Sequence, residues 1–178
     1  MIVVCLIGLN ASGKDTIADI LGEKGFKSLS CGDVLRKMAK EQGKPLEQEL
    51  LLAMTEPLKR ELGEGFLGKM LLDEFKKNSW EKCVANGLRR WGEWKELEKA
   101  DKAIMILVDA PENIRFDRAV KRGRDGDKLD RDEFNRYDKK LASIGLEKLK
   151  ANADYIIDNS GTIEELKVLV GNLLPKIC

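Results

Sequence analysis

Histidine is absent from the 178 residues, which excludes every mechanism that needs an imidazole as base, nucleophile or metal ligand. Cysteine is scarce and scattered: Cys5, Cys31, Cys83 and Cys178 form no CxxC pair. That spacing excludes a disulfide framework and a zinc site, and reads as reduced thiols in a cytoplasmic protein. No apolar run approaches the roughly 20 residues that span a bilayer. The opening run MIVVCLIGL lacks a basic lead and a small-residue cleavage site, so it is not read as a signal peptide. A surplus of either charge is lacking too. With 32 basic against 31 acidic residues the formal charge is +1, so no global field draws the chain to nucleic acid or an anionic membrane. Internal repeats, low-complexity segments and linkers are missing, which leaves one domain. Two Gln, no histidine and abundant Lys and Glu lean toward a thermophilic source.

What is present is a globular composition, 43% hydrophobic and 35% charged, in a chain long enough for a genuine core. Strand and helix signals alternate, the order expected of a parallel sheet covered by helices. Residues 2–6 form a continuous apolar run, as in a strand buried on both faces. Ile17, Ala18, Ile20 and Leu21 then mark one helical face, ended by Gly22 and Gly25. A short strand over 26–30 precedes a helix over 33–42. Residues 46–78 read as helical, interrupted around Pro57 and at 63–65. Strands are predicted over 82–87 and 103–110, with WGEWKELEKA between them, and a helix runs from Pro111, placed at its first turn, to Gly123. The stretch RGRDGDKLDRDEF is too polar for core and reads as a surface loop. A last strand covers 153–159. Thr162 with Glu165 signals a capping box for a final helix striped by Ile163, Leu166, Val170 and Leu173. Trp80, Trp91 and Trp94 read as packing.

The segment GLNASGKDT, residues 8–16, joins the first strand to the first helix. GxxxxGK in that setting is a phosphate cradle. Gly8 and Gly13 permit a tight turn whose N–H groups point inward. Asn10, Ala11 and Ser12 supply the loop, and the helix dipole favours anions at its start. Lys14 brings a mobile charge to the β- and γ-phosphates. Asp15 stands where a magnesium-binding hydroxyl often does. It is read as a first-turn acid favoured by the dipole and turned from the phosphates, with Thr16 offering its hydroxyl to the nucleotide.

GK followed by a non-hydroxyl residue and Thr resembles the GKGT of nucleoside monophosphate kinases. SCGDVLR, residues 30–36, resembles the STGDMLR of adenylate kinases. The resemblance implies that Arg36 contacts the acceptor phosphate and that Asp33 lies near magnesium, held mostly through water. Asp33 as a helix cap is an equal alternative. VANGLRRWGE resembles their DGFPR, implying acceptor contact by Arg89, with Asn86 in place of the family's aspartate. An amide attracts Mg²⁺ more weakly than a carboxylate does; Asp33 or Asp109 is the compensating acid. FDRAVKRGRDGD resembles the hinge and start of the lid, implying that Arg118 and Arg122 clamp the phosphates and that Arg124, Arg131 and Arg136 belong to the lid. Arg115, Arg118 and Arg122 share one helical face by spacing. A nucleic-acid patch is the alternative for this run, disfavoured by its lack of interleaved aromatics. Gly161 and Thr162 fall where such kinases pass a loop beside adenine.

The chain as a whole looks most like an archaeal group related to adenylate kinases and to dephospho-CoA kinases. The implied fold is a three-layer α/β/α P-loop NTPase with a five-stranded parallel sheet, a helical acceptor-binding insertion near 31–80 and a short lid near 122–136. The implied activity is transfer of the γ-phosphoryl of ATP, with Mg²⁺, to a small phosphorylated acceptor, first of all AMP, CMP or a deoxynucleotide. Lys14, Arg118 and Arg122 carry the chemistry. A dephospho-CoA-type kinase, and an ATP-dependent assembly factor with weak ATPase activity, are the alternatives. The expected partner is the small-molecule acceptor, without membrane or nucleic acid, and the expected state is a monomer or weak dimer.

Overall fold

Strand β1, Ile2–Ile7, is apolar throughout because both of its faces are covered. Val3, Cys5 and Ile7 turn to one face, and Val4 and Leu6 to the other. The computed structural model describes residues 1–46, 48–123 and 130–178, the side chains of residues 48 and 49 excepted. After β1 come α1 (Lys14–Gly22), β2 (Lys27–Ser30), α2 (Cys31–Glu41), α3 (Gln48–Leu62), α4 (Phe66–Lys77), β3 (Lys82–Leu88), α5 (Trp91–Leu97) and β4 (Lys102–Asp109). Next are α6 (Glu112–Arg122), α7 (Arg131–Leu141), a π-helical turn (Ala142–Leu146), α8 (Glu147–Lys150), β5 (Tyr155–Asp158) and α9 (Ile163–Ile177).

The five strands form one sheet in the order β2-β3-β1-β4-β5, every pair parallel. Parallel neighbours require crossover connections, and the helices supply them. On one face Ile17, Leu21, Leu166 and Val170 cover Val4, Leu6, Ile106 and Val108. On the other Leu35, Leu71, Phe75, Leu97 and Leu149 cover Val3, Cys5, Ile7 and Met105, and Trp80, Trp91 and Trp94 pack against that core. The result is the expected three-layer α/β/α arrangement. The carboxyl ends of the strands meet at one edge, where open α/β sheets bind ligands. There the register of β1 on β3 slips between Leu6 and Ile7, pairing Leu6 with Asn86 but Ile7 with Leu88. The bulge ends regular pairing just before Arg89 and re-aims the residues around it.

Several boundaries differ from expectation. Helix α3 runs through Pro57 without a break. Buried Leu51 and Leu52 anchor it before the proline, and Arg90 grips Thr55 and Glu56 beside it. Tertiary contacts there outweigh a cost of about 3 kcal/mol for an interior proline. Pro111 is the cap of α6 rather than its first residue. Ser30, not Asp33, caps α2, its Oγ accepting from the Gly32 and Asp33 amides at 3.1 and 3.4 Å. The polar stretch expected as a loop begins α7 at Arg131, because Asp130 caps it through the Glu133 amide at 2.9 Å. Buried Phe134, Tyr137 and Leu141 then seat this charged helix. The Thr162–Glu165 capping box of α9 forms as expected; of its stripe Ile163 is exposed and the other three are buried. Among the described residues, no helix is long and apolar enough to cross a membrane.

Candidate functional site

The loop between β1 and α1 adopts backbone that only glycine enters easily. Gly8 has φ +143°, and a Cβ there would lie 2.2 Å from the Val108 carbonyl oxygen. Gly13 has φ +103°, and its Cβ would lie 2.0 Å from Asn159 Nδ2. Both glycines are thus fixed twice, by conformation and by close approach. Asn159, at the end of β5 and 4% exposed, props the loop from beneath by donating to the Ser12 carbonyl at 2.8 Å. Asn159 was not singled out from the sequence, although a buried amide closing a strand is the signal that could have found it.

Lys14 folds over this loop, its Nζ donating to the carbonyls of Gly8 at 2.9 Å and Leu9 at 2.7 Å. Burial lowers its pKa from 10.5 to about 7; Asp15 opposes the fall, and Arg89, Arg122 and Arg115 add to it. A lysine so poised gains most from an anion brought within reach of its ammonium. Around it lies a cavity of about 350 Å³ lined by Gly8, Asn10 through Thr16, Ser30, Gly32, Leu35, Arg36, Leu51, Asn86, Gly87, Arg89, Arg118, Arg122, Tyr137 and Leu141. Among the described residues, Lys14, Arg36, Arg89, Arg118 and Arg122 face it against a single lining carboxylate, Asp15. Such an excess of fixed cations in one concave site suits a polyanion.

Asp15 and Asn86 are partners: Asn86 Nδ2 donates to Asp15 Oδ1 at 2.7 Å. Buried Asn86 keeps its Oδ1 without a hydrogen bond. The acid at position 15 and the amide at position 86, each a departure from the resembled motifs, are thus joined by one hydrogen bond. Asp33 is exposed, pairs with Arg36 at 2.6 Å, and lines a smaller adjoining cavity with Asp15, Asp19, Ser28 and Ser30. Asp109 lies outside both cavities. Among the described residues no cluster of three or more His, Cys, Asp or Glu could hold a metal ion. Thr16 and the unpartnered Asn86 Oδ1 are oxygens of the kind a hard cation accepts, on residues that line the cavity.

On the far wall, Arg89 leaves the β3 bulge with its backbone amide donating to Glu93 at 2.7 Å and its guanidinium donating to Tyr137 Oη at 3.2 Å. Burial raises the pKa of Glu93, while the Arg89 and Arg90 amides and guanidiniums oppose the rise. Arg118 donates to the Gly161 carbonyl at 3.5 Å, and Arg122 to Asn10 Oδ1 at 3.2 Å. Of the three arginines expected on one helical face, Arg118 and Arg122 line the cavity and Arg115 does not. Arg115 is 4% exposed and turns inward to Asp138, because α7 packs there. Gly161 and Thr162 do not line the cavity; Thr162 caps α9. Arg131 lies over Phe116 and beside Glu112, and Arg136 reaches Glu133, so neither lines the cavity. Arg124 falls outside the described residues.

A family model described as an AAA domain matches residues 4–139. A UPF0200 protein of Sulfurisphaera tokodaii is 33% identical over 176 residues, covering 98% of this chain and 97% of that one. A UPF0200 protein of Thermococcus sibiricus is 29% identical, covering 98% and 95%. Among solved structures, TT1252 from Thermus thermophilus superimposes with TM-score 0.65 at 22% identity, over 99% of this chain and 98% of that. A shikimate kinase from Acinetobacter baumannii gives 0.60 at 18%, over 99% and 94%. These likenesses fit a P-loop kinase fold at large, rather than adenylate kinases in particular. With its glycine loop and five-stranded parallel sheet, the chain belongs to the AAA-domain family and to the UPF0200 proteins.

Proposed function

We propose that the chain is an ATP-dependent kinase of a small phosphorylated acceptor, with a nucleoside monophosphate as the first candidate. One observation carries the reading: a single cavity is lined by the phosphate loop with Lys14, by a second set of cations, Arg36 and Arg89, and by Arg118 and Arg122. A site for nucleotide alone needs only the first set. Loop N–H groups and Lys14 hold the donor phosphates, and Arg36 and Arg89 orient the acceptor anion. Arg118 and Arg122 neutralise charge on the transferring group. Phosphoryl transfer asks for positioning and charge stabilisation, and no covalent intermediate on the chain is required. Mg²⁺, when bound, neutralises the β- and γ-phosphates; Thr16 and Asn86 Oδ1 are the groups that would face it, with Asp15 acting through water.

The test is ATP consumption with AMP, CMP, deoxynucleotides and dephospho-CoA, each against ATP alone. Stimulation by one of them is expected. Shikimate and a hexose belong in the same screen, because one fold neighbour is a shikimate kinase and another a sugar kinase, and the arginine fork also suits a carboxylate. Turnover only with an acceptor lacking phosphate would transfer the reading to that class. No stimulation by any acceptor would leave the ATP-dependent assembly factor as the better account.

A further inference from the structure

Asn10 is held from two sides by arginines of one helix. Arg115 NH1 donates to its carbonyl at 3.3 Å, and Arg122 NH2 donates to its side-chain Oδ1 at 3.2 Å. The two arginines stand seven residues apart on α6, about two turns, so they lie on nearly one face and approach Asn10 at different levels. Arg122 lines the cavity and Arg115 does not. What keeps Arg115 beneath the loop is a buried anchor. Its NH1 meets Asp138 Oδ2, its Nε donates to the Ala110 carbonyl at 3.0 Å, and its guanidinium lies 5.5 Å from the centre of the Phe134 ring. Arg115 and Asp138 are 4% and 8% exposed. A planar fork with donors on several edges can serve a carboxylate and two carbonyls at once; an ammonium of the same charge cannot match that geometry.

From this arrangement we infer that Arg115 is a positioning residue for the donor site: Asp138 holds its guanidinium under the loop, where it fixes Asn10, and Asn10 in turn supports Arg122 at the phosphates. This rests on the kinase reading for the role of Arg122, but not on the identity of the acceptor. The sixth cation is useful because it stays out of the cavity. Neutralised by Asp138, it shapes the loop without competing for ligand phosphate. Tyr137, the neighbour of Asp138 on α7, meets Arg89, so one helix reaches both the donor support and the acceptor wall.

The experiment is a double-mutant cycle on ATP affinity, read by calorimetry with no acceptor present. R115K keeps the charge and loses the fork. Alone, R122A is expected to weaken ATP about tenfold and R115K about five- to tenfold. Together they should weaken it only about 10- to 20-fold, because Arg122 is already misplaced in R115K. A merely structural role would lower the folded fraction and leave the affinity of folded protein unchanged. Effects that multiply to about 50- to 100-fold, or an R115K affinity within twofold of wild type, overturn the inference. If R115K does not fold, N10A with R122A tests the same link while leaving the buried pair intact, and multiplying effects again overturn it. Wild type that binds ATP yet transfers phosphate to no acceptor refutes the kinase reading and leaves the cycle readable.

Discussion

The proposed donor and acceptor walls of the cavity are built in opposite ways. The donor wall is nine consecutive residues, Gly8 to Thr16, whose form follows from two glycines and the strand and helix on either side. The acceptor wall draws Arg36 from α2, Arg89 from the β3 bulge and Tyr137 from α7, segments separated by dozens of residues. A local turn specifies itself through backbone sterics. A wall assembled from distant segments exists only after the core has formed, and its precision depends on groups that do not line it, such as Glu93. The donor side should therefore be sensitive to loss of one charge, and the acceptor side to the shape of a contact.

The largest expected effect is on the donor side. Lys14→Ala should lower phosphoryl transfer on the order of 10³-fold, because its charge meets the transferring phosphate, and should leave the melting temperature close to wild type. Turnover and thermal melting of the purified variant check this; near-normal turnover would refute the donor assignment.

Intermediate effects are expected on the acceptor wall. Arg36→Lys and Arg89→Lys keep charge but lose the bidentate fork. Each should cost about 1.5–3 kcal/mol, or roughly 10- to 150-fold in acceptor kcat/KM, with ATP affinity nearly unchanged. Arg89 should be the more sensitive, since Glu93 and Tyr137 fix it from both ends, whereas Arg36 has an exposed Asp33 as its partner. Equal loss of ATP affinity in either variant would erase the distinction between the two walls.

The smallest effect is a proton count. The pKa of Lys14 falls from 10.5 to about 7 in the folded protein, so above pH 7 the folded protein binds fewer protons than the unfolded chain. The sign follows: stability from this group rises with pH between about 7 and 10.5, and the cost of holding its charge is fully present below 7. Bound phosphates would restore the ammonium. ATP binding at pH 8.5, where the nucleotide is fully ionised, should take up close to ~1 proton, and that uptake should fall as the pH approaches 7. Calorimetry in buffers of different ionisation enthalpy reads this directly, and uptake that does not change with pH would assign Lys14 a fixed charge.

Arg115 shows where reading by spacing stops. Its place on the helix is the same from sequence or structure, seven residues before Arg122, yet only packing against α7 turns it inward to Asp138. Pro57 makes the same point for an element boundary, and the Asp15–Asn86 pair for a site: their partnership is visible only when residues 71 apart in sequence are 2.7 Å apart.

By itself, the sequence determined what short-range physics controls. The continuous apolar runs specified buried parallel strands, the GxxxxGK spacing specified a phosphate loop, and the Thr162–Glu165 box specified the start of α9. Each depends on sterics, periodicity or hydrogen bonds within a few residues. Tertiary structure alone decided the strand order, the bulge that aims Arg89, the support of the loop by Asn159, and which arginines of α6 face the cavity. Those choices turn on which distant surfaces bury together, because a guanidinium follows the nearest carboxylate or carbonyl that packing brings within reach.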